Sequence, residues 1–486
     1  MAAQPFPSLQ ITADSFIPKG AFAEAQAEFL TPDGDTVAAL DKLLREKNIG
    51  VVAHFYMDPE LQGVLTACDW PHIRISDSLL MADSAIEMVE AGVRTVVVLG
   101  VDFMSENVRA MLTAAGHPEV PVYRVAAEEI GCSLAESAEA LAYGAYLTKA
   151  KATPRSLHVI YINTSLRTKA QAQHLVPTIT CTSSNVVRTI LQAAVQIPDV
   201  HIWYGPDTYM GRNLMALLRS LGTMDDAAVR EIHPDHTADS VRSLADRFHY
   251  FRQGVCVVHH MFGADVAHQI RADYPHAFVT AHLEVPGEMF ELGLEAQRAG
   301  RGVVGSTSNI LSFITDQVKA SDGAERLSFL LGTEAGMITS IVRAVRAELR
   351  ARRSAGRAEP EVEIVFPVAS EAIAQVDDPE LQVVPGVASG EGCTVAGGCA
   401  TCPFMKMNSL DALLDVANRV DAVPGATLLP LHPKSYEETI DGRTAAELGG
   451  EPILHMRAFQ NTGQLSSELT KDILTRGGPD VASDRA

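Results

Sequence analysis

Short apolar runs rich in Val and Ile recur along this chain, with helix-length segments between them. They fall at 50–54, 95–99, 120–125, 158–162, 200–204, 255–259, 277–281, 302–305 and 363–366. Between the runs the apolar residues take helical spacing, as in 36–47. Runs without polar alternation are strands covered on both faces, and strands separated by helices pair in parallel, so the pattern predicts an α/β fold.

Open parallel sheets gather their ligands beyond the carboxyl ends of the strands. Here those ends carry small polar or ionisable residues: His54 and Tyr56, Asn163-Thr164-Ser165, Thr182-Ser183-Ser184-Asn185, His282 and Glu284, and Ser306-Thr307-Ser308-Asn309. Residues two apart on an extended segment point the same way, so each histidine pair is either an acid and a base or a structural hydrogen-bond pair. The two hydroxyl-rich loops precede apolar helical stretches, where they serve either as plain N-caps or as seats for carboxylate or phosphate.

A length of 486 residues corresponds to roughly three domains. With 47% apolar and 20% charged residues, the composition excludes disorder, collagen and coiled coil as whole-chain descriptions. A net charge of -21 repels nucleic acid and anionic membrane, and neither is expected as a partner. The first residues lack a basic stretch and a long apolar stretch, which reads as a cytoplasmic protein. Arg343, Arg346, Arg350, Arg353 and Arg357 fall on one helix face, either paired with the protein's own acids or offered to a partner.

Seven cysteines, an odd and small number, argue against a disulfide framework. Three of them, Cys393, Cys399 and Cys402, crowd a Gly-rich stretch that can wrap a soft metal centre. A zinc knuckle would need a fourth ligand, and no Cys or His follows until His432. An iron–sulfur cluster drawing on distant thiols would also account for Cys132 and Cys256, which singly read as core residues. Cys68 and Cys181 read as core.

A dozen segments in order along the chain resemble the quinolinate synthase family, iron–sulfur enzymes of NAD biosynthesis. They are AHFYMDPELQ, SDSLLMADSA, GVDFMSENVRAML, GCSLAES, YINTSLRTKA, CTSSNVV, GPDTYMGRNL, GVCVVHH, AHLEVP, VGSTSN, GTEAGM and CATCPFMKMN. The resemblance implies three three-layer αβα domains, with short parallel sheets in pseudo-threefold arrangement around a central cluster cavity. Their expected limits are 36–155, 156–272 and 273–410, the last with an insertion at about 341–395; an extension, 1–35, precedes them and a helical segment and tail, 411–486, follows.

By motif position the resemblance assigns a [4Fe–4S] cluster to Cys132, Cys256 and Cys402. Around the substrates it places His54, Tyr56, Ser78, Tyr161, Asn163, Ser183, His282, Glu284, Ser306, Thr307 and Thr333. The implied reaction condenses iminoaspartate with dihydroxyacetone phosphate to quinolinate, losing two waters and phosphate, with one open iron as Lewis acid. Tyr56, His54, Glu284 and His282 would move the protons, and an iminoaspartate-producing enzyme would be a functional partner. Cys393 and Cys399 would form a regulatory disulfide, as is thought for the two non-ligand cysteines in relatives with a tighter cysteine run. Three positions depart from the family pattern: Leu283 and Val285 in His282-Leu283-Glu284-Val285, where His-Pro-Glu-Cys is usual, and Ser76, where Gly is frequent before Asp77. Two other readings are a zinc-dependent hydrolase using Cys399, Cys402 and a histidine, and a non-catalytic iron–sulfur redox sensor.

Overall fold

The computed structural model describes residues 5–368, 383–384, 393–394 and 401–476. Cys399 and the side chain of Cys393 lie outside the described residues, and so does the disulfide expected between them. The chain divides into two compact units, one of Met1–Val101, Ala114–Ile130 and Val257–Pro433, the other of Asp102–Thr113, Gly131–Cys256 and Lys434–Ala486. Both are α/β, built from short sheets of mainly parallel strands flanked by helices.

The first unit opens with β1 (Ser8–Ile11) and β2 (Phe16–Lys19), followed by β3 (Ile49–His54), β4 (Ile73–Ser76), β5 (Thr95–Leu99) and β6 (Val122–Tyr123). Strands β3 to β6 form a parallel sheet in the order β4-β3-β5-β6. Every residue of β3 and of β5 is buried, as expected for central strands covered on both faces. The helix Gly34–Lys47 leads into β3, capped by the Asp33 carboxylate, which accepts the Thr36 N–H.

The second unit holds β7 (Ser156–Tyr161), β8 (Thr178–Cys181), β9 (His201–Gly205) and β10 (Phe248–Tyr250), paired in parallel in the order β10-β9-β7-β8. Here the sequence expectation of a strand at 255–259 is corrected. Pairing ends early because Gly254 is pinned: its N–H donates to Thr208 Oγ1, its carbonyl accepts the Thr208 N–H, and a Cβ there would lie 2.3 Å from the Pro206 carbonyl oxygen. The chain beyond it runs as loop into the short turn His259–Met261. The helix Ala445–Thr462 docks on the helix Leu166–Leu175 of the same unit, and Gly449 is what permits the approach, since a Cβ would lie 2.1 Å from the Leu166 carbonyl oxygen.

The first unit resumes with β11 (Phe278–His282), β12 (Gly302–Gly305), β13 (Arg326–Gly332) and β14 (Glu361–Val365). These join β1 and β2 in a six-stranded sheet, β12-β11-β13-β14-β1-β2. It is mixed rather than wholly parallel, because β1 runs antiparallel to both β14 and β2. The N-terminal residues thus complete a sheet, and Leu9 and Ile11 lie in one core cluster with Val362, Ile364 and Ile341.

Four arginines of the stripe lie along the exposed side of the helix Ile338–Ser354, and Arg357 lies beyond its end; three of those four are paired within the same unit. Arg346 and Arg350 donate to the Ala13 carbonyl, and Arg353 pairs with Asp14 and Glu359. Arg352, outside the stripe, is fully buried and donates to the carbonyls of Val318, Lys319, Ser321 and Ala358, which closes the end of the helix Thr307–Ala320.

Candidate active site

In the first unit the carboxyl ends of β3, β11 and β13 deliver side chains that meet. His54 ends β3 and Tyr56 follows it, their rings 4.7 Å apart. His282 ends β11 and Glu284 follows it. Thr333 follows β13, and its Oγ1 lies 3.3 Å from the Tyr56 hydroxyl.

The two histidine pairs share one local geometry. The Tyr56 N–H donates to His54 Nδ1 at 3.2 Å, and the Glu284 N–H donates to His282 Nδ1 at 3.3 Å. Accepting there leaves Nε2 as the N–H of each neutral ring, so both imidazoles are hydrogen-bond donors at their far end. Burial pushes His54 down to about 4 and His282 down to about 3, although the Glu284 carboxylate pulls both upward. Both rings are therefore uncharged at neutral pH.

His259 joins the group. In the sequence it is one of two adjacent histidines in GVCVVHH, with no ionisable residue two positions on to mark it. It is buried, stacks on His282 with ring centres 4.7 Å apart, and places Nδ1 3.1 Å from Glu284 Oε2. Its Nε2 lies 3.5 Å from Thr333 Oγ1. Tyr56, Thr333, His259 and Glu284 thus form a line of exchangeable protons, with separations that a bound substrate would tighten.

The remaining expected residues of this unit stand close to strand ends. Ser78 is buried two residues beyond β4, next to Asp77, whose carboxylate accepts the N–H groups of Leu79 and Leu80. Ser306 caps the helix Thr307–Ala320: its hydroxyl donates to Asn309 Oδ1 and accepts the Asn309 N–H. That proton is engaged, so Ser306 offers a ligand only a lone pair, and Thr307 is the buried hydroxyl at the helix start.

Cys402 is half-buried in a turn held from two sides. Its N–H donates to Glu334 Oε1 at 3.1 Å. Further on, the Asn408 side chain accepts the Gly100 N–H and donates to the Gly100 carbonyl just past β5. Glu334 is buried and pushed up to about 8 by that burial, against the pull of two backbone N–H donors and Lys406. Neither Glu334 nor Asn408 was singled out from the sequence, where acids and amides are ordinarily surface residues. The glycines flanking Glu334 in GTEAGM were the available signal.

In the second unit, Tyr161 is buried at the end of β7 and Asn163 follows it half-buried. Ser183 is half-buried in the turn before the helix Val186–Gln196, a turn tied by Asn185 Oδ1 to the Thr182 N–H. Cys132 and Cys256 are half-buried, and their chain segments lie side by side, since Ser133 Oγ donates to the Val255 carbonyl at 2.9 Å. Cys181 is a buried core thiol, whereas Cys68, expected in the core, is half-buried; its thiol donates to the Val37 carbonyl and burial pushes it up to about 12, which keeps it protonated.

Comparison with known proteins gives a concordant result. A family model described as Quinolinate synthetase A protein matches residues 38–355. A chloroplastic quinolinate synthase of Nicotiana tabacum is 54% identical over 483 residues, covering 97% of this chain and 67% of its own. One of Arabidopsis thaliana is 52% identical over 487 residues, with the same two coverages of 97% and 67%. A quinolinate synthase of Thermosynechococcus vestitus is 27% identical over 381 residues, 78% of this chain and 86% of its own. The chain thus spans about two thirds of the length of the plant relatives. From a family match over most of the chain, and from relatives more than half identical along nearly all of it, the chain belongs to the quinolinate synthase family of enzymes.

Proposed function

We propose that this chain catalyses the condensation of iminoaspartate with dihydroxyacetone phosphate to quinolinate, with loss of two waters and phosphate. The observation that carries the reading is the line Tyr56, Thr333, His259, Glu284, closed on either side by the neutral imidazoles of His54 and His282. Such a reaction needs several proton transfers at carbonyl and enamine centres, and it needs donors that stay uncharged while an oxyanion develops. Tyr56 and Glu284 hold and move protons at the two ends of the line. His54 and His282 donate from Nε2 to substrate oxygen. Ser78, Thr307, Tyr161, Asn163 and Ser183 bind carboxylate and phosphate in this reading, helped by the helix starts at Thr307 and Val186, while Ser306 holds the first of those helix starts through its bonds to Asn309.

A [4Fe–4S] cluster would be held by Cys132, Cys256 and Cys402. The donor set fits: all three are half-buried, soft sulfur ligands outside helix and strand, unlike fully buried Cys181 at the end of β8. Three cysteines leave one iron without a protein ligand, and when bound the cluster supplies Lewis acidity to a hydroxyl or carboxylate oxygen. In the same reading the chain has three α/β domains with the limits given above and depends on an enzyme that produces iminoaspartate. No helix among the described residues is long and apolar enough to cross a membrane. Because the plant relatives are named chloroplastic, a plastid is the second candidate compartment beside the cytoplasm, and fractionation of the source cells decides between them.

The test is anaerobic purification. Brown protein with about four irons and four sulfides per chain is expected, bleached by Cys132→Ala, Cys256→Ala or Cys402→Ala, and forming quinolinate from the two substrates. Colourless protein with stoichiometric zinc would overturn the reading in favour of a hydrolase, and a brown protein without turnover would favour a redox sensor.

A further inference from the structure

Glu334 is a fully buried carboxylate whose two oxygens serve two distant pieces of backbone. Oε1 accepts the Cys402 N–H at 3.1 Å, and Oε2 accepts the Gly336 N–H at 2.8 Å. The Gly336 carbonyl in turn accepts from Gln62 Nε2 at 2.8 Å. That same amide donates to the carbonyls of Phe55 and Met57, at 2.7 and 2.9 Å, the two peptide oxygens that bracket Tyr56. Thr333, the neighbour of Glu334, carries the hydroxyl that meets both Tyr56 and His259.

We infer that Glu334 is a positioning residue of this site, whose carboxylate fixes the backbone of Cys402 in register with Tyr56 and Thr333. The inference rests on the reading of Cys402 as a cluster ligand. Its residue type is what two convergent N–H groups require. A carboxyl group presents two oxygens, each able to accept, whereas an amide satisfies one N–H and turns its own NH2 against the other. Position 336 is fitted to the same end: a Cβ there would lie 2.7 Å from Glu334 Oε2 and 3.1 Å from the Phe55 carbonyl oxygen, so glycine makes room for the carboxylate. Cys402 is thereby tied to the proton-transfer groups by an acceptor that touches neither substrate nor sulfur.

The experiment compares full-length wild type with Glu334→Ala, Glu334→Gln and Gly336→Ala, prepared anaerobically. Iron and sulfide content are measured, then the metal is removed and the alkylation of each cysteine by iodoacetamide is followed by mass spectrometry. In Glu334→Ala, Cys402 should react roughly three- to tenfold faster, the equivalent of losing one hydrogen bond, with Cys132 and Cys256 unchanged. Glu334→Gln should fall between, and Gly336→Ala should resemble Glu334→Ala. In the reconstituted proteins kcat expressed per bound cluster should drop several-fold while KM stays near wild type; normalising to bound iron removes the loss of active enzyme that general destabilisation would cause. Wild-type alkylation rates and an unchanged kcat in Glu334→Ala would overturn the inference. Should the variants not fold, hydrogen exchange in metal-free wild type decides: Cys402 and Gly336 amides protected like those of β5 support it, and exchange at exposed-loop rates overturns it. Wild type that holds no iron or sulfide defeats the cluster reading instead, and the alkylation and exchange results still report on Glu334 separately.

Discussion

His54 and His282 stay uncharged because burial outweighs the attraction of Glu284, and that choice has a cost that depends on pH. The folded-state values, about 4 and about 3, lie below the ordinary 6.5, so the unfolded chain binds these protons first as pH falls. Their contribution is complete above pH 6.5 and is lost as pH drops through 6.5 toward 4, by of order 3 kcal/mol per site. Thermal midpoints should therefore fall between pH 7.5 and pH 5, and His54→Gln should flatten part of that slope; identical midpoints at both pH values would show that these rings are hydrated. At the chemical ends of the line, Tyr56→Phe and Glu284→Gln should each lower turnover by roughly 10²–10⁴-fold with iron content intact. Near-normal turnover in both would remove them from the proton path. The His-x-Tyr and His-x-Glu pairs were legible in the sequence because each ends an apolar run. His259 was not, although it closes the run 255–259: two positions on stands Met261, so no ionisable partner marks it as one of a pair.

At the level of elements, the apolar runs marked strands well where both faces are covered, as in β3, β5 and β7. They failed where tertiary bonds decide. The 255–259 run is loop because Gly254 is fastened to Thr208. Conversely β13, Arg326–Gly332, begins with alternating polar residues and was passed over, although it sits between β11 and β14. The loop Ser306 to Asn309 illustrates a different limit: the sequence left open whether it caps or binds, and Ser306 is visibly engaged as a cap. Ser306→Ala should then cost roughly 0.5–2 kcal/mol of stability through the helix Thr307–Ala320. A denaturant titration measures this, and a change confined to KM with stability untouched would mark Ser306 as a pure ligand residue.

For the whole molecule, the mixed sheet of the first unit has a consequence for how far the shared family region can stand alone. The family match ends at residue 355 and begins at residue 38, whereas β14, β1 and β2 all lie outside those limits. Half of a six-stranded sheet is therefore supplied by sequence that the family model does not describe. A chain trimmed to residues 38–355 would leave β13 as a bare margin, Leu327, Phe329 and Leu331 deprived of the neighbours that bury them and a row of unpaired peptide groups turned to water. Such a margin templates pairing with another copy. Light scattering of the trimmed protein should show growth in particle size with concentration that the full-length chain does not show, and a monodisperse trimmed chain would refute the idea. In natural β2 the exposed margin carries Pro18 and Lys19, residues that resist added strands, so the N-terminal hairpin acts as a selvedge: a finished border that keeps the sheet from knitting onto its neighbours.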